Sequence, residues 1–197
     1  MDASCCTLEH CKGLATALRG TGVQHLVHIG SAHVYSPSTP RPWTEDAPRG
    51  AACGVFAAEQ QAMEAFLREE HRARNLPVTT MLLADLVGRG WTPVTPQGIH
   101  DAAVFDAIGS GGKIMLPNAR CYLQLVHAQD AARAVEAAIR LRDSTIGQTF
   151  NVGGVPLTPV AYVQASAPLC GLPGPNSPAP PSARARLCVS WVLRTWI

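Results

Sequence analysis

A few places along this 197-residue sequence carry side chains able to do chemistry. Cys5, Cys6, His10 and Cys11 crowd the opening "MDASCCTLEHC", where thiolates and an imidazole could hold a metal ion. Their spacing follows no standard zinc pattern, so no metal is expected. "GSGGK" at 109–113 offers glycines and a lysine to a phosphate, but lacks the following serine or threonine and a correctly offset leading glycine. It reads as a surface turn rather than a P-loop. Ser31 closes the apolar run "HLVHIGS" and by residue type alone is a turn former. Cys53 stands near the head of "AACGVFAAEQQAMEAF" (51–66). A free thiol titrates near about 8.5 and could donate a proton. No cation stands beside Cys53 in the sequence to activate it, so it reads as filling a small apolar slot.

These groups need a scaffold, and composition bounds it. The length suits one domain, or one and a piece of a second. Hydrophobic residues make up 47% and charged residues 15%, which suits a globular interior. A net charge of +2 points to neither nucleic acid nor an anionic membrane as partner. Lys12 and Lys113 are the only lysines. The seven cysteines form no repeated Cys-x-x-Cys. The start lacks the basic and apolar regions of a signal peptide, and no apolar stretch approaches the ~20 residues that span a bilayer. Reduced thiols in the cytoplasm are the expectation.

Periodicity supplies the elements. Leu8, Cys11, Leu14, Ala15 and Leu18 share one face of a helix over 8–19, which "GTG" at 20–22 stops. "VQHLVHIG" (23–30) reads as a buried parallel strand. The prolines of 36–50 make a loop, and 52–74 is a long helix with a charged outer face. "LPVTTMLLADLVG" (76–88) is the next strand and its exit loop. A helix, glycine turn and extended piece follow over 99–117, then strand, turn and helix over 121–141 and a last strand in 147–154. Asp130, near the start of the helix after 127, reads as its cap, and His127 as a packed or hydrogen-bonded histidine. From 168 to 186 the composition reads as disordered. Alternating strands and helices argue an α/β fold with a mostly parallel sheet.

The order and wording of these segments resemble the extended short-chain dehydrogenase/reductase family, the NAD-dependent epimerase/dehydratases. "GVQHLVHIGSAHVYS" resembles that family's fourth Rossmann strand and its serine-rich end, and "WTEDAPRG" its acidic loop before the catalytic helix. "LPVTTMLLADLVGRG" is similar to "LPVTILRPANVYGPG" without gaps. "LVHAQDAARAVEAAI" and "GQTFNVGG" are similar to "FVHVDDVARAVLLAL" and "GEVYNVGG". The likeness covers roughly residues 8 to 158. It implies a partial Rossmann-like parallel sheet lacking the first βαβ unit, with a remnant C-terminal substrate lobe. Residues 1–158 would form this domain, with lobe elements around 90–125, and 159–197 a disordered Pro/Ala/Arg-rich tail. The missing unit would leave a sheet edge or face uncovered, for a protein partner to cover.

The resemblance also implies a mechanism, and here the chain departs from it. In the family a serine orients the substrate oxygen, a tyrosine transfers the proton, and a lysine four residues on assists and holds the nicotinamide ribose. Ser31 matches the serine; the tyrosine and lysine positions hold Cys53 and Ala57. None of Tyr35, Tyr122 and Tyr162 has a lysine four residues later. The sequence contains no glycine-rich dinucleotide loop before a Rossmann helix. The family's arginine, proline and asparagine after the fifth strand are Leu82, Leu83 and Asp85, and its arginine before "FVHV" is Leu123, with Arg120 upstream. By resemblance alone, Ile29, Ser31, Leu83 and Ala84 would touch NAD or NADP, and His33 and Asp85 a small-molecule, nucleotide-sugar-like substrate. The expectation is an epimerase/dehydratase-like protein of impaired catalysis. The alternatives are a non-catalytic binding or interaction protein, or a truncated or spliced product of a larger oxidoreductase gene.

Overall fold

The computed structural model describes residues 1–36, 42–111, 114–116, 122–170 and 190–191. In chain order the elements are α1 (Leu8–Leu18), β1 (Leu26–Ser31), α2 (Gly54–Arg74), β2 (Val78–Leu83), β3 (Asp85–Val87), α3 (Ala103–Gly109), β4 (Met115–Leu116), β5 (Leu125–His127), α4 (Ala128–Arg140), α5 (Arg142–Thr145), β6 (Thr149–Val152), α6 (Pro159–Ser166) and β7 (Ser190–Trp191). They fall into two compact units, Met1–Ala84 with Val126–Gly153, and Asp85–Leu125 with Gly154–Ile197.

The first unit is built on the parallel sheet β1-β2-β6. β1 runs beside β2 from Leu26 opposite Val78 to Ser31 opposite Leu83, and β2 beside β6 from Thr80 opposite Thr149 to Leu83 opposite Val152. All three strands expected from sequence are present and parallel, with β1 beginning three residues later than the apolar run suggests. Side chains alternate across the sheet. Leu26 and Val78 face Cys11 and Ala15 of α1 and Met63 and Leu67 of α2. The intervening Val27 and Met81 face Val135 and Ala138 of α4. The helical face inferred for residues 8–19 is the one that seals the core: Cys11 and Ala15 are buried, and Leu8, Leu14 and Leu18 pack around them.

Sequence reasoning expected an uncovered edge or face on this sheet. Among the described residues, Asp2 meets the outer edge of β1. Its backbone N–H donates to the Val27 carbonyl at 2.8 Å, and its carbonyl accepts the Ile29 N–H at 2.9 Å. α2 ends on Asn75 in the left-handed region, whose N–H returns to the last helical carbonyls. At Gly147, with φ +79°, a Cβ would lie 2.4 Å from the His71 ring, so the turn into β6 has room only for glycine.

The second unit has its own core of Val94, Leu116, Leu123, Tyr162 and Val163. Leu123 and Leu157 exchange two antiparallel backbone hydrogen bonds of 2.8 Å. α6 corrects the tail boundary drawn at 159. Thr158 caps it by accepting the Ala161 N–H at 3.1 Å, Pro159 takes the first helical position, and Tyr162 and Val163 are buried. A cap, an N-terminal proline and two core side chains outweigh the alanine- and proline-rich composition that follows. Residues 171–189 and 192–197, Lys113 and Arg120 lie outside the described residues.

Candidate functional site at the end of the first strand

Ser31 closes β1 opposite Leu83, and Ala84 follows with its N–H bonded to the Val152 carbonyl at 2.9 Å. Ser31, Leu83 and Ala84 thus share the C-terminal end of the parallel sheet, where ligands of open α/β sheets bind. The side chains of Ile29 and Leu83 pack on the cluster of Val27, Met81, Val135 and Ala138. Asp85 lies in the second unit, in β3, with its N–H 3.2 Å from the Gln124 carbonyl.

The Ser31 side chain caps a single 3-10 turn, Ala32–Val34, by accepting the His33 backbone N–H at 3.2 Å. The same oxygen lies 2.9 Å from His33 Nδ1. The hydroxyl either donates to Nδ1 or accepts its N–H, according to the ring's tautomer, and in both cases Nδ1 is engaged and Nε2 is not part of this bond. The outer side of the imidazole meets the Phe56 ring edge to face, 5.7 Å between centroids at 77°. Gly30 makes the close approach possible beneath: a Cβ there would lie 3.2 Å from Leu82 Cδ2 and 3.6 Å from Gln60 Oε1.

Next to this pair the acidic loop is bound to both β6 and α2. Asn151 Nδ2 donates to the Trp43 carbonyl at 3.0 Å, and its backbone N–H to Glu45 Oε1 at 2.9 Å. Tyr35 shares its hydroxyl hydrogen between Asn151 Oδ1 at 2.9 Å and the Thr44 carbonyl at 3.0 Å. The Tyr35 ring stacks on Trp43 and carries the Arg49 guanidinium 4.6 Å from its centroid. Arg49 in turn holds the buried Glu64 of α2 with two hydrogen bonds of 2.8 and 2.5 Å. Burial pushes the Tyr35 phenol above its ordinary range, and its hydroxyl is engaged by Asn151 and the Thr44 carbonyl. Tyr162 is likewise buried and donates to the Val94 carbonyl.

Cys53 is exposed, which corrects the apolar slot expected for it. The reason is local geometry. Gly54, with φ +88°, turns the chain into α2, so residue 53 sits before the first turn as an N-cap with no side-chain cap bond. The core-facing row begins at Ala57, which is 2% exposed, and continues through Gln60, Met63, Glu64 and Leu67. The two positions of the expected dyad therefore have opposite environments. Cys53→Ala should change unfolding free energy by less than about 0.5 kcal/mol, as exposed substitutions do. Urea denaturation would check this, and a loss above about 1 kcal/mol would contradict the exposed placement.

His127 is exposed and is itself the cap of α4, its Nδ1 accepting the Gln129 N–H at 3.3 Å. This corrects the assignment of the cap to Asp130, which instead pairs with Arg133 at 3.0 Å. The cap falls one position before the helix, where backbone N–H groups converge, and Asp130 lies inside the first turn. Among the described residues no three His, Cys, Asp or Glu side chains are grouped to hold a metal ion. Burial pushes the Cys5 thiol up to about 11 and the Cys11 thiol up to about 12, away from the thiolate a metal needs. No helix among the described residues is long and apolar enough to cross a membrane.

Sequence reasoning missed Phe56 and the loop clamp centred on Asn151. A signal existed for the first: "VF" at 55–56 falls outside the apolar row of α2, so its phenyl ring had no core to enter. At the two positions expected from the resemblance to carry the tyrosine and the lysine, the structure has an exposed thiol and a buried methyl group, neither of which matches the side chains that the resemblance implies for holding a nicotinamide cofactor. A methyl group sealed inside the helix packing cannot reach a ribose hydroxyl.

Residues 7–153 match the family described as NAD dependent epimerase/dehydratase. No curated protein matches the sequence. Among solved structures, epimerase Mth375 from Methanothermobacter thermautotrophicus superposes with a TM-score of 0.72 at 15% identity, over 95% of this chain and 52% of that one. The dTDP-glucose 4,6-dehydratase DesIV double mutant from Streptomyces venezuelae, with NAD and DAU bound, gives 0.67 at 20% identity over 94% and 52%. UDP-glucuronic acid 4-epimerase from Bacillus cereus, in complex with NAD, gives 0.67 at 14% identity over 85% and 53%. The chain spans about half the length of these structures.

Proposed function

Because this chain belongs to the NAD-dependent epimerase/dehydratase family, we propose that it holds a nucleotide-sugar-like small molecule at the C-terminal end of β1 and β2, with turnover by the family's tyrosine–lysine route impaired. The observation that carries the reading is Ala57, buried at 2% where a lysine would have to reach a cofactor. The neighbouring Cys53 thiol is exposed. General acid–base catalysis adds about 10²–10⁴ in rate only where the acid, its activating group and the substrate are held together. Ser31 remains to orient a ligand oxygen. The cofactor, NAD or NADP, comes with the family, and this chain offers its ribose no lysine.

Calorimetric titration of the 197-residue chain with NADH and with NADPH tests the cofactor part. The expected result is millimolar affinity or no measurable heat for either. Micromolar binding of one of them would show that the site holds the cofactor without the lysine, and the impairment would have to be withdrawn. Five described cysteines, Cys5, Cys6, Cys11, Cys53 and Cys170, are free thiols. That suits a reducing compartment, so the proposal includes the cytoplasm.

A further inference from the structure

We propose that His25 is an acid-sensitive latch: its neutral ring holds the start of β1 to β2 and to the turn between α5 and β6, and protonation loosens that turn. His25 stands immediately before β1, at the end of the sheet opposite Ser31. Its Nε2 lies 2.8 Å from Thr79 Oγ1. Thr79 is fully buried, and its hydroxyl donates to the Thr145 carbonyl at 2.7 Å. A hydroxyl has one hydrogen, so Thr79 can only accept from the imidazole. The ring hydrogen is therefore on Nε2, and Nδ1 is a bare lone pair. Nδ1 is buried and, among the described residues, has no hydrogen-bond partner. The Thr145 carbonyl also accepts the Gln148 N–H at 3.0 Å, and the Gly147 N–H donates to the Val78 carbonyl at 2.7 Å. The Thr145 hydroxyl reaches back to the Ala138 carbonyl at 2.9 Å. One imidazole thus ends a chain of hydrogen bonds that joins β1, β2, α4 and the turn into β6.

Acid turns this arrangement against the fold. A protonated ring carries a second N–H, and burying a donor without an acceptor is costly. The charges acting on the ring are both positive, Arg142 of α5 and the amino group of Met1. Arg142 donates to Gln24 Oε1, next to His25 in the chain, at 2.7 Å, and its Nε lies 3.3 Å from Asp143. The groups that β2 and the turn contribute to the chain of bonds, Thr79 and Thr145, carry no charge. Burial first, and then the two cations, hold the imidazole below its ordinary 6.5. To take a proton the ring must leave Thr79 and turn Nδ1 to water, and Arg142 must draw away with α5. A histidine lowered in the folded state stabilises it fully above 6.5, and that stabilisation is lost as the pH falls below. His71 borders the same turn, since a Cβ on Gly147 would meet its ring, but its Nδ1 is bonded to the Leu76 carbonyl at 2.8 Å.

Long-range proton–nitrogen NMR of the histidine rings in the full native chain reads the tautomer and titration of His25 directly. The expected result is the Nε2–H tautomer at pH 8 and a midpoint below that of a free imidazole. Hydrogen exchange at Gly147 and Gln148, corrected for the intrinsic effect of pH, reads the turn. Between pH 8 and pH 5.5 opening there should rise about three- to tenfold, ten being the gain in protonation of a freed imidazole one unit below 6.5. His25→Gln, which takes no proton, should hold both amides within about twofold over the same range. Arg142→Gln, which removes the larger of the two repulsions, should shrink the native response. An Nδ1–H tautomer or an unshifted midpoint in the native chain would overturn the latch without any variant having to fold. An exchange rate indifferent to acid would overturn it too. So would an acid response that survives in His25→Gln, and its loss in His71→Gln would then assign the response to His71.

Discussion

Writing tyrosine at 53 and lysine at 57 should leave the chain without nicotinamide-linked turnover and markedly less stable. The instability comes from position 57. Ala57 is 2% exposed in the row that continues through Gln60, Met63 and Leu67. Lysine there must either bury an ammonium, lose its proton, or push α2 off the sheet. A cost of at least about 2 kcal/mol follows, within the range for burying an unpaired charge or overpacking a core. Cys53→Tyr alone should be nearly neutral, because position 53 is exposed. The missing turnover has a separate cause: a proton donor accelerates only a reaction whose other partners are held beside it. Urea unfolding of both single variants and the double variant, with a nicotinamide absorbance assay on UDP-glucose, separates the two effects. Robust turnover by the double variant would show that the site needs only its dyad restored. A stable Ala57→Lys chain would show that α2 can admit the lysine, and the physical argument for impairment would fall.

Removing the Asp2 carboxylate should cost about 3 kcal/mol at neutral pH, as expected when one partner of a buried, hydrogen-bonded pair is lost. Its Oδ2 accepts the Nδ1–H of His28 at 2.9 Å, with both side chains buried. Its Oδ1 accepts the Ser4 N–H at 2.9 Å, the Ser4 hydroxyl at 3.0 Å and the Cys5 N–H at 3.2 Å. Burial by itself raises the carboxyl pKa, but the hydrogen bonds from Ser4, His28 and Cys5 outweigh it and bring the group from 3.8 down to about 2. A depressed acid stabilises the folded state above its unfolded value. The contribution is therefore full above 3.8 and fades as the pH falls through about 2. Urea unfolding at neutral pH measures Asp2→Ala, and a series from pH 5 to pH 2 compares native chain with Asp2→Asn. The Asn variant should lose less than the Ala variant at neutral pH and show a flatter acid limb. An unchanged acid limb would mean that the depressed carboxyl is not Asp2.

Much of the scaffold was legible along the chain, because its signals are local and repeated. The face of α1 follows from apolar residues three and four apart, and the parallel strands from short β-branched runs between helices. The family resemblance drew on the same order, and it located Ser31 at a strand end. The errors share one cause, which is that a single residue's environment depends on where an element begins. Cys53 and Ala57 lie four apart, a spacing that would put them on one helical face. One positive-φ glycine places the first before the helix and the second in its core. His127 took the cap expected of Asp130 because α4 begins at Ala128, three residues earlier than a helix capped by Asp130 would.

The sequence by itself determined the parallel α/β scaffold, the order of its elements and the absence of a tyrosine–lysine pair, since periodicity and residue identity need no partner to be read. Only the tertiary structure decided what surrounds each site residue. It sealed Ala57, exposed Cys53, bound Tyr35 and the acidic loop to Asn151, and set Phe56 against the His33 that Ser31 holds. Those are contacts between residues far apart in the chain, and their distances are set by how helix and sheet pack together, which no local spacing encodes.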